Sequence, residues 1–263
     1  MFLRNSWEQY KANFKTALVF SLLLVFVPVF GFFQNTYLSS GSIFLDYGLL
    51  LLNPVALVSQ VFLVALFLVF YSFFVSIIVF SVRKNLSKLK LNFYLREMLQ
   101  KFTLRIFVFY SLYCLLLFLL ALGMLYFGFH MLFVAFALLV VSFVLMFVPQ
   151  AVVVEEEGLR HAVSTNFEFL RHHPKSFFLV FVIGALMLAV LQLVEFGLSY
   201  FSLLASYLSL FLNLVFVLPI VEIMKTYLYM MRFDIIKQHE IARGSKPRVA
   251  RVEPESLADA PKP

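Results

Sequence analysis

Three consecutive glutamates, Glu155, Glu156 and Glu157, follow the apolar run AVVV in a chain that is otherwise poor in charge. Carboxylates serve as general acids and bases in catalysis, and they are also common ligands of hard metal ions. A catalytic or metal role is therefore the first chemistry to consider for this triplet. The same segment contains three histidines that could add ligands, namely His161, His172 and His173.

The spacing of these residues argues against a shared metal ion. Consecutive side chains on a helix point about 100° apart, so the three carboxylates would converge only on an extended or looped backbone. The histidines also lack the HExxH type of spacing that places two imidazoles on one helix face. The triplet precedes a helix predicted to begin near Gly158, where carboxylates interact favourably with free backbone N–H groups by about 0.3–1 kcal/mol each. We therefore expect a helix-terminus role, with no metal, no cofactor and no catalytic residue.

The composition shows which environment must hold these residues. Of the 263 residues, 63% are hydrophobic and 13% are charged, against roughly 45–50% and about 25% in a soluble domain. A chain of this kind is solvated by lipid. The single cysteine, Cys114, excludes an intrachain disulfide. The net charge of +7 is explained by a membrane surface, so we expect no nucleic-acid partner.

Long apolar runs predict the fold class: all-α, a polytopic integral membrane helical bundle with six transmembrane helices. The segment FGFH at 127–130 predicts a tight turn between two of these helices. The first run follows a charged segment without a small-residue cleavage pattern, so we interpret it as an uncleaved signal anchor. The predicted spans lie near 16–33, 54–82, 104–128, 131–153, 176–199 and 202–224.

Basic residues predict the orientation, because Lys and Arg near the ends of spans are retained in the cytoplasm. All 21 of them fall in the N-terminal segment, in the connections after the second and fourth spans, or from Lys225 onward. The opposite connections contain Asp46 and His130 but no Lys or Arg. We therefore predict a multi-pass protein of the cell membrane with both termini in the cytoplasm.

Helical periodicity also occurs in the cytoplasmic segments, which predicts amphipathic surface helices at 1–15 and near 91–103 and 158–171. These helices give the 16–231 membrane domain an apparent pattern of surface helix, span, outer turn and span, repeated three times. Either an internal triplication or the ordinary spacing of any amphipathic helix explains the pattern. The tail from 232 to 263 is predicted to be cytoplasmic, and largely disordered from 244.

Few polar side chains fall within the predicted spans. Glu195 and Glu222 are counted near the outer and inner interfaces, with Lys225 three residues after Glu222. Asn213 is the deepest strongly polar residue. Hydrogen bonding to a neighbouring helix is the simplest interpretation of Asn213, and a substrate contact is the alternative.

Two stretches in the last half of the chain, VPQAVVVEEEGLRHAVSTNFEFLRHHPKSFF and LPIVEIMKTYLYMMRFD, form a recognisable pattern. They resemble a broad group of uncharacterised six-span membrane proteins. This group includes the membrane domain attached to some glycerophosphoryl diester phosphodiesterases. The positions matching the group are Pro149, Glu157, Gly158, Ala162, Phe167, Glu168, Pro219, Tyr227 and Tyr229. Asn166 departs from the group, which usually has serine there. The resemblance implies a six-helix fold rather than an activity, since phosphodiesterase chemistry would lie in a separate soluble barrel.

Two classes of function are compatible with this pattern, and an enzyme is the least favoured class. The first is a non-catalytic membrane protein that organises lipids or protein partners at its cytoplasmic face. Anionic lipids at the inner leaflet, a protein partner or a second copy of the chain would be its partners. The alternative is a transporter or permease-like protein for a small or lipid-like solute, with groups such as Asn213 and Ser142 lining a cavity. A polar cavity between the spans would favour the alternative.

Overall fold

The structure, a computed structural model, describes residues 2–33, 36–39, 41–45, 54–87, 99–200 and 204–231. Within these residues, six helices are long and apolar enough to cross a membrane. The all-α prediction is therefore confirmed, and the chain is a multi-pass membrane protein. The tail, most of the predicted helix near 91–103, and Asp46 lie outside the described residues.

The six spans have bounds close to those predicted, with shifts of a few residues at several ends. The largest shift is in the sixth, which begins later and extends to Met231. At about 1.5 Å per residue the spans are about 27–51 Å long, and some contain a change of helix type. The spans, called first to sixth below, are Phe14–Gly31, Pro54–Ser87, Lys101–Tyr126, Met131–Val154, Pro174–Ser199 and Ala205–Met231.

Several spans are built from consecutive helical pieces. The first contains a 3₁₀ stretch at Leu18–Val25, and the sixth contains a π-helical stretch at Asn213–Val217. The α-helices are α1 (Phe2–Ala12), α2 (Phe14–Ala17), α3 (Phe26–Gly31), α4 (Pro54–Ser87), α5 (Leu104–Tyr126), α6 (Met131–Leu145), α7 (Val148–Val154), α8 (Leu159–His172), α9 (Pro174–Ser199), α10 (Ala205–Leu212) and α11 (Leu218–Met231). A second π-helical stretch, Leu99–Thr103, precedes α5.

The sixth span is the centre of the bundle. In its most apolar window 56% of the residues are buried, whereas the corresponding figure for the third span is 11%. The sixth span packs against the first, second and fifth spans and α1. The third and fourth spans form a hairpin through the predicted turn, where Gly128 has a φ of +76° and His130 caps α6. Their large apolar side chains are mostly exposed, as expected for a surface that faces lipid.

Antiparallel alternation gives the bundle two distinct ends. We call the end that carries Arg83, Lys101, Arg105 and Arg160 the basic end. Its core contains an aromatic cluster in which Phe147, Phe169, Phe177 and Tyr229 pack with ring centroids 4.5–6.4 Å apart. The turn at 127–130 lies at the other end, which we call the hairpin end.

A short β-hairpin at the hairpin end was not expected from the sequence. Strand β1 (Thr36–Ser39) pairs antiparallel with β2 (Ser42–Leu45), and Ser39 lies opposite Ser42. The rings of Tyr37 and Phe44 stack across the pair, 5.2 Å apart. Its tip enters the bundle, because Gly41 is buried beside Leu191 and Asn213. Both lie eight residues inside their spans, so the tip penetrates about 12 Å.

Helix α1 forms where the first amphipathic helix was predicted, with an apolar stripe that includes Trp7, Tyr10 and Phe14. Of these, Tyr10 is buried together with the polar residues Ser6 and Asn13, whereas Trp7 and Phe14 are 46% and 40% exposed. Polar side chains pack against the bundle here because they form hydrogen bonds with residues of its spans. Asn13, for example, accepts hydrogen bonds from Ser81 and Asn85 at 2.6 and 2.8 Å. Whether this helix lies on a membrane surface stays a prediction.

Helix α8 confirms the helix predicted near 158–171, with Gly158 as its N-cap residue. Its buried face contains Ala162, Asn166 and Phe169, while Phe167 is 49% exposed. Asn166, the position that departs from the six-span group, is completely buried and donates a 2.7 Å hydrogen bond to the carbonyl of Val144.

Candidate functional site

The most polar buried group in the spans is an ion pair on the sixth span. Glu222 and Lys225 are only 3% and 7% exposed, and their Oε1 and Nζ atoms lie 2.5 Å apart. Gln150 of the fourth span donates to the other oxygen of Glu222 at 2.8 Å. Because Glu222 is nine residues before the end of α11, it lies about 13 Å inside the span. The placement of Glu222 near the inner interface stays a prediction.

The lysine of this pair also donates a hydrogen bond to a backbone carbonyl at a break in the fourth span. The fourth span breaks at Met146 and Phe147, immediately before Pro149, because proline cannot donate to the helical ladder. Lys225 donates to the carbonyl of Met146 at 3.3 Å. Together with the Asn166 bond to Val144, this contact satisfies carbonyl groups at the break that lipid could not.

Pro219 creates a similar situation in the sixth span. Proline at this position has no N–H to donate to the carbonyl of Val215, four residues earlier. The hydroxyl of Tyr10 donates to that carbonyl at 3.1 Å. The proline-containing end of the last span is therefore held by α1, which explains why a tyrosine of α1 is buried.

A cavity of about 170 Å³ opens beside the ion pair, between the second, third, fourth and sixth spans. We call it the ion-pair cavity. Besides Glu222 and Lys225, its polar lining consists of three tyrosines and a serine, and the Tyr113 hydroxyl donates to Ser142 at 2.5 Å. The lining residues are Tyr71, Phe109, Tyr110, Tyr113, Ser142, Leu145, Met146, Pro149, Glu222 and Lys225.

A second cavity of about 370 Å³ lies toward the hairpin end, and we call it the hairpin cavity. Its walls are mostly apolar, and the tip of the β-hairpin closes part of it. Tyr71 lines both cavities, so this side chain stands between them. The lining residues are Leu23, Phe30, Gly41, Ser42, Ile43, Val64, Phe67, Leu68, Tyr71, Leu210, Asn213, Leu214 and Leu218.

One face of the sixth span serves both cavities. Leu210, Leu214 and Leu218 line the hairpin cavity at intervals of four residues, and Glu222 and Lys225 continue the same face into the ion-pair cavity. The π-helical stretch at Asn213–Val217 contains Leu214 and lies between Leu210 and Leu218, so it borders the hairpin cavity. Such π-helical insertions frequently occur at functional sites.

Asn213 holds the hairpin tip instead of bridging two helices as its simplest interpretation predicted. Its amide nitrogen donates to the carbonyl of Gly41 at 2.6 Å, and the N–H of Gly41 donates to Ser209 at 3.1 Å. Ser206 and Ser209 also donate to the carboxylate of Glu195 at 2.8 and 2.5 Å. Asn213 and Glu195 thus belong to one hydrogen-bond network around the tip of the β-hairpin.

The acidic triplet lies at the basic end, where its three carboxylates go to three different sets of partners. Glu155 accepts a hydrogen bond from Tyr229. Glu156 pairs with Arg83 at 3.0 Å and with Lys101. Glu157 accepts a hydrogen bond from Thr165 at 3.3 Å, and its other carboxylate oxygen lies 3.1 Å from His161 Nε2.

The triplet precedes α8 as expected, and it also contacts other elements of the bundle. Gly158, the N-cap residue of α8, makes no side-chain cap, and a favourable interaction of the carboxylates with this helix end stays a prediction. Arg83 and Arg105 also donate to backbone carbonyls of this segment, at 2.8 Å to Val153 and 2.8 Å to Glu157. The segment therefore ties the second, third, fourth and sixth spans together. Within the described residues, no three acidic, histidine or cysteine side chains group as metal ligands.

Glu156 is the most constrained member of the triplet. Its φ is +59°, in the left-handed region that is uncommon for residues other than glycine. Burial by itself would raise the pKa of the Glu156 carboxyl. The hydrogen bonds and charges of Lys101 and Arg83 outweigh this effect and hold that pKa below its usual value.

We expect Glu156→Gln to lower the free energy of unfolding at pH 7 by about 1–2 kcal/mol, because Arg83 and Lys101 lose their charged partner. A depressed pKa in the folded state means that the stabilisation is present above the pKa of the unfolded chain and is lost as the pH falls through the folded value. The difference between wild type and variant should therefore shrink below about pH 4. Thermal unfolding of the purified protein at several pH values measures it.

Glu8→Gln is the matched control. Glu8 pairs with Arg4 at 3.2 Å, but its side chain is 60% exposed, and exposed pairs contribute about 0–1 kcal/mol. A pH-independent difference for Glu156→Gln, or one no larger than that of the control, would contradict the assignment.

The remaining positions that match the six-span group are mostly structural. Ala162 is completely buried in α8, and Tyr227 accepts a 3.0 Å hydrogen bond from Asn5. Phe167 and Glu168 are exposed. Pro149 is the one position of this set that lines a cavity, at the break in the fourth span. These positions are not brought together at one site.

Sequence reasoning missed Gln150 and Tyr71, although it noted that Lys225 follows Glu222 by three residues. The pair of Glu222 and Lys225, spaced i, i+3, was a usable signal. Gln150 carried a weaker one, as an amide directly after a proline near the end of a span. No protein-family model, curated protein or solved structure matches this chain.

Proposed function

We propose that this protein moves a small or lipid-like solute across the membrane through the interior of its helical bundle. The observation that carries the proposal is the arrangement of the two cavities. They lie one after the other along one face of the sixth span, with Tyr71 between them. A solute that passes from one cavity to the other needs Tyr71 to move.

The charged residues support the same proposal. Ionisable groups inside a membrane bundle are expensive, and they commonly mark pathways for substrates or ions. Here an ion pair lines one cavity, about 13 Å from the helix end. Transporter sites are also often formed where helices are discontinuous. Both the break before Pro149 and the π-helical stretch of the sixth span border the cavities.

We further propose that the protein resides in the cell membrane with the basic end in the cytoplasm, since basic residues near span ends are retained there. In this orientation the ion-pair cavity is nearer the cytoplasm and the hairpin cavity is nearer the outside. The proposed role is non-catalytic. An organising role at the basic end, anionic lipid as its partner and membership of the six-span group stay predictions.

Labelling of introduced cysteines tests the pathway. In a Cys114→Ser background, Leu214→Cys should react with a small, charged, membrane-impermeant thiol reagent added outside intact cells. Ser142→Cys should react with the same reagent from the cytoplasmic side of inverted vesicles. Both reactions are expected because each cavity admits water when it opens to its own side. Tyr71→Ala should let the reagent reach each position from either side.

Leu186→Cys is the control for reaction through lipid, because Leu186 is 60% exposed on the fifth span and does not line either cavity. Equal inertness of Leu186→Cys, Leu214→Cys and Ser142→Cys from both sides would contradict a pathway. His130→Cys and Arg160→Cys test the orientation in the same assay. Only His130→Cys should react from outside.

A further inference from the structure

A ligand in the ion-pair cavity would contact one negative and one positive side chain. Glu222 and Lys225 both line its wall. An ammonium group has three donors, and among the described residues Lys225 directs two of them, to Glu222 and to the carbonyl of Met146. Beside the pair, the buried oxygen Oε1 of Gln150 has no hydrogen-bond partner within the described part of the chain. Lys225 at the cavity wall therefore has a donor left for a ligand, whereas Gln150 is not among the residues that line the cavity.

Charge balance restricts the class of ligand. The pair is neutral overall, so a ligand with a single charge would add an uncompensated charge to a buried site, which is costly. A zwitterion adds no net charge. Its cationic group can pair with Glu222 and its anionic group with Lys225, so each buried charge keeps an opposite partner.

The aromatic lining favours a cationic group on the ligand. Tyr71, Phe109, Tyr110 and Tyr113 all line the cavity, and the Tyr71 and Tyr110 rings lie 5.2 Å apart. Aromatic rings attract ammonium groups that lie within about 6 Å of their centroids. Recognition of quaternary ammonium groups is a common use of such clusters.

The size of the cavity limits the ligand further. Its volume of about 170 Å³ corresponds to about six water molecules at ~30 Å³ each. Pockets for drug-sized ligands are larger, about 300–1,000 Å³. The cavity therefore suits a free amino-acid-sized molecule or the headgroup of one lipid.

We infer that the ion-pair cavity is a binding site for a small zwitterion, with its ammonium group between Glu222 and the tyrosines and its anionic group on Lys225. The inference names the solute class of the proposed transport and rests on that function for its biological role. The zwitterion has two sources, a free solute or the headgroup of a zwitterionic phospholipid.

Calorimetric titration of the purified full-length protein in an uncharged detergent tests the inference. The zwitterionic probes are glycine betaine and methylphosphocholine, a phosphodiester with no net charge, and the single-charge probes are choline and acetate. At least one zwitterion should bind saturably and at least tenfold more tightly than both single-charge probes. Choline or acetate binding as tightly as the zwitterions, or no saturable binding by either zwitterion, would overturn the inference.

A lipid probe distinguishes the two sources. Dihexanoyl phosphatidylcholine, used below its critical micelle concentration, presents the same net-neutral phosphodiester headgroup as methylphosphocholine with two short chains attached. Binding at least tenfold tighter than methylphosphocholine assigns the site to a lipid headgroup. Equal or weaker binding assigns it to a free solute.

Two variants locate the binding in this cavity. Glu222→Gln combined with Lys225→Met removes both charges, and Ser142→Leu fills the cavity while leaving the charges in place. Each should weaken zwitterion binding at least tenfold, and Ser142→Leu keeps the test valid if the double variant folds poorly. Leu186→Ala, on the exposed side of the fifth span, should bind as wild type does. Wild-type affinity in both cavity variants would overturn the assignment.

Failure of the binding inference and failure of the transport proposal give different experimental results. Zwitterion binding without any cysteine labelling in the cavities would leave the site in place and contradict the transport proposal. Labelling of both cavities without zwitterion binding would support a pathway and overturn the solute class.

Discussion

Lys225→Met should lower the free energy of unfolding by about 3–5 kcal/mol, because it leaves the carboxylate of Glu222 buried without its cationic partner. Gln150 would remain as a donor to Glu222, but a neutral amide does not balance the charge. The carbonyl of Met146 would also lose the Lys225 contact. Thermal and denaturant-induced unfolding of the purified protein in an uncharged detergent measures the loss.

The combined variant Glu222→Gln with Lys225→Met is the control for this prediction. Replacing both members of a buried ion pair is often close to neutral, because the desolvation cost of both charges disappears with their attraction. We therefore expect the double variant to recover most of the stability lost by Lys225→Met. A double variant as unstable as the single variant would show that the two charges are not energetically coupled.

Gly41→Ala should be the most damaging change at the hairpin end, with an expected loss of about 2–4 kcal/mol. A Cβ atom at Gly41 would lie 2.6 Å from Leu191 Cδ2 and 2.8 Å from Asn213 Cβ. The φ of +70° adds backbone strain for any residue with a side chain. The hairpin would withdraw from the bundle and break its hydrogen bonds to Ser209 and Asn213.

Gly128→Ala separates the steric clash of an added Cβ atom from the backbone strain of a positive φ. Gly128 has a φ of +76°, but a Cβ there would have nothing within 4 Å. Its alanine variant should show only the backbone cost, about 1 kcal/mol. The measurement is thermal unfolding together with labelling of Asn213→Cys, which should increase when Gly41 is also replaced. Equal destabilisation by Gly41→Ala and Gly128→Ala would contradict insertion of the tip.

Features with local causes were predictable. Each span needs only a long apolar run, because the transfer of such a helix into lipid depends on its own side chains. The turn between the third and fourth spans follows from Gly128, which adopts a positive φ without strain. The break in the fourth span follows from Pro149. These features require no knowledge of what packs against them.

The face on which a helix packs was not predictable in the same way. In a soluble protein the apolar stripe of a helix turns inward, whereas in lipid an apolar side chain gains little from leaving its surroundings. Trp7 of α1 and Phe14 of α2 accordingly remain exposed, while Tyr10 of α1 and Asn13, between the two helices, pack inward and make hydrogen bonds. Periodicity therefore identified α1 as a helix but did not show which of its residues pack against the bundle.

The sequence alone determined the number of spans, the charge asymmetry of their connections and the positions of the turn and the proline break, because each depends on neighbours along the chain. The tertiary structure alone decided what the polar residues do. Gln150 and Glu222 are separated by 72 positions, and Asn213 and Gly41 by 172. Strands of four residues also carry too little local signal, and this hairpin is held by its contacts with the fifth and sixth spans. A buried hydrogen bond of this kind depends on which spans meet, and packing of the whole bundle determines that.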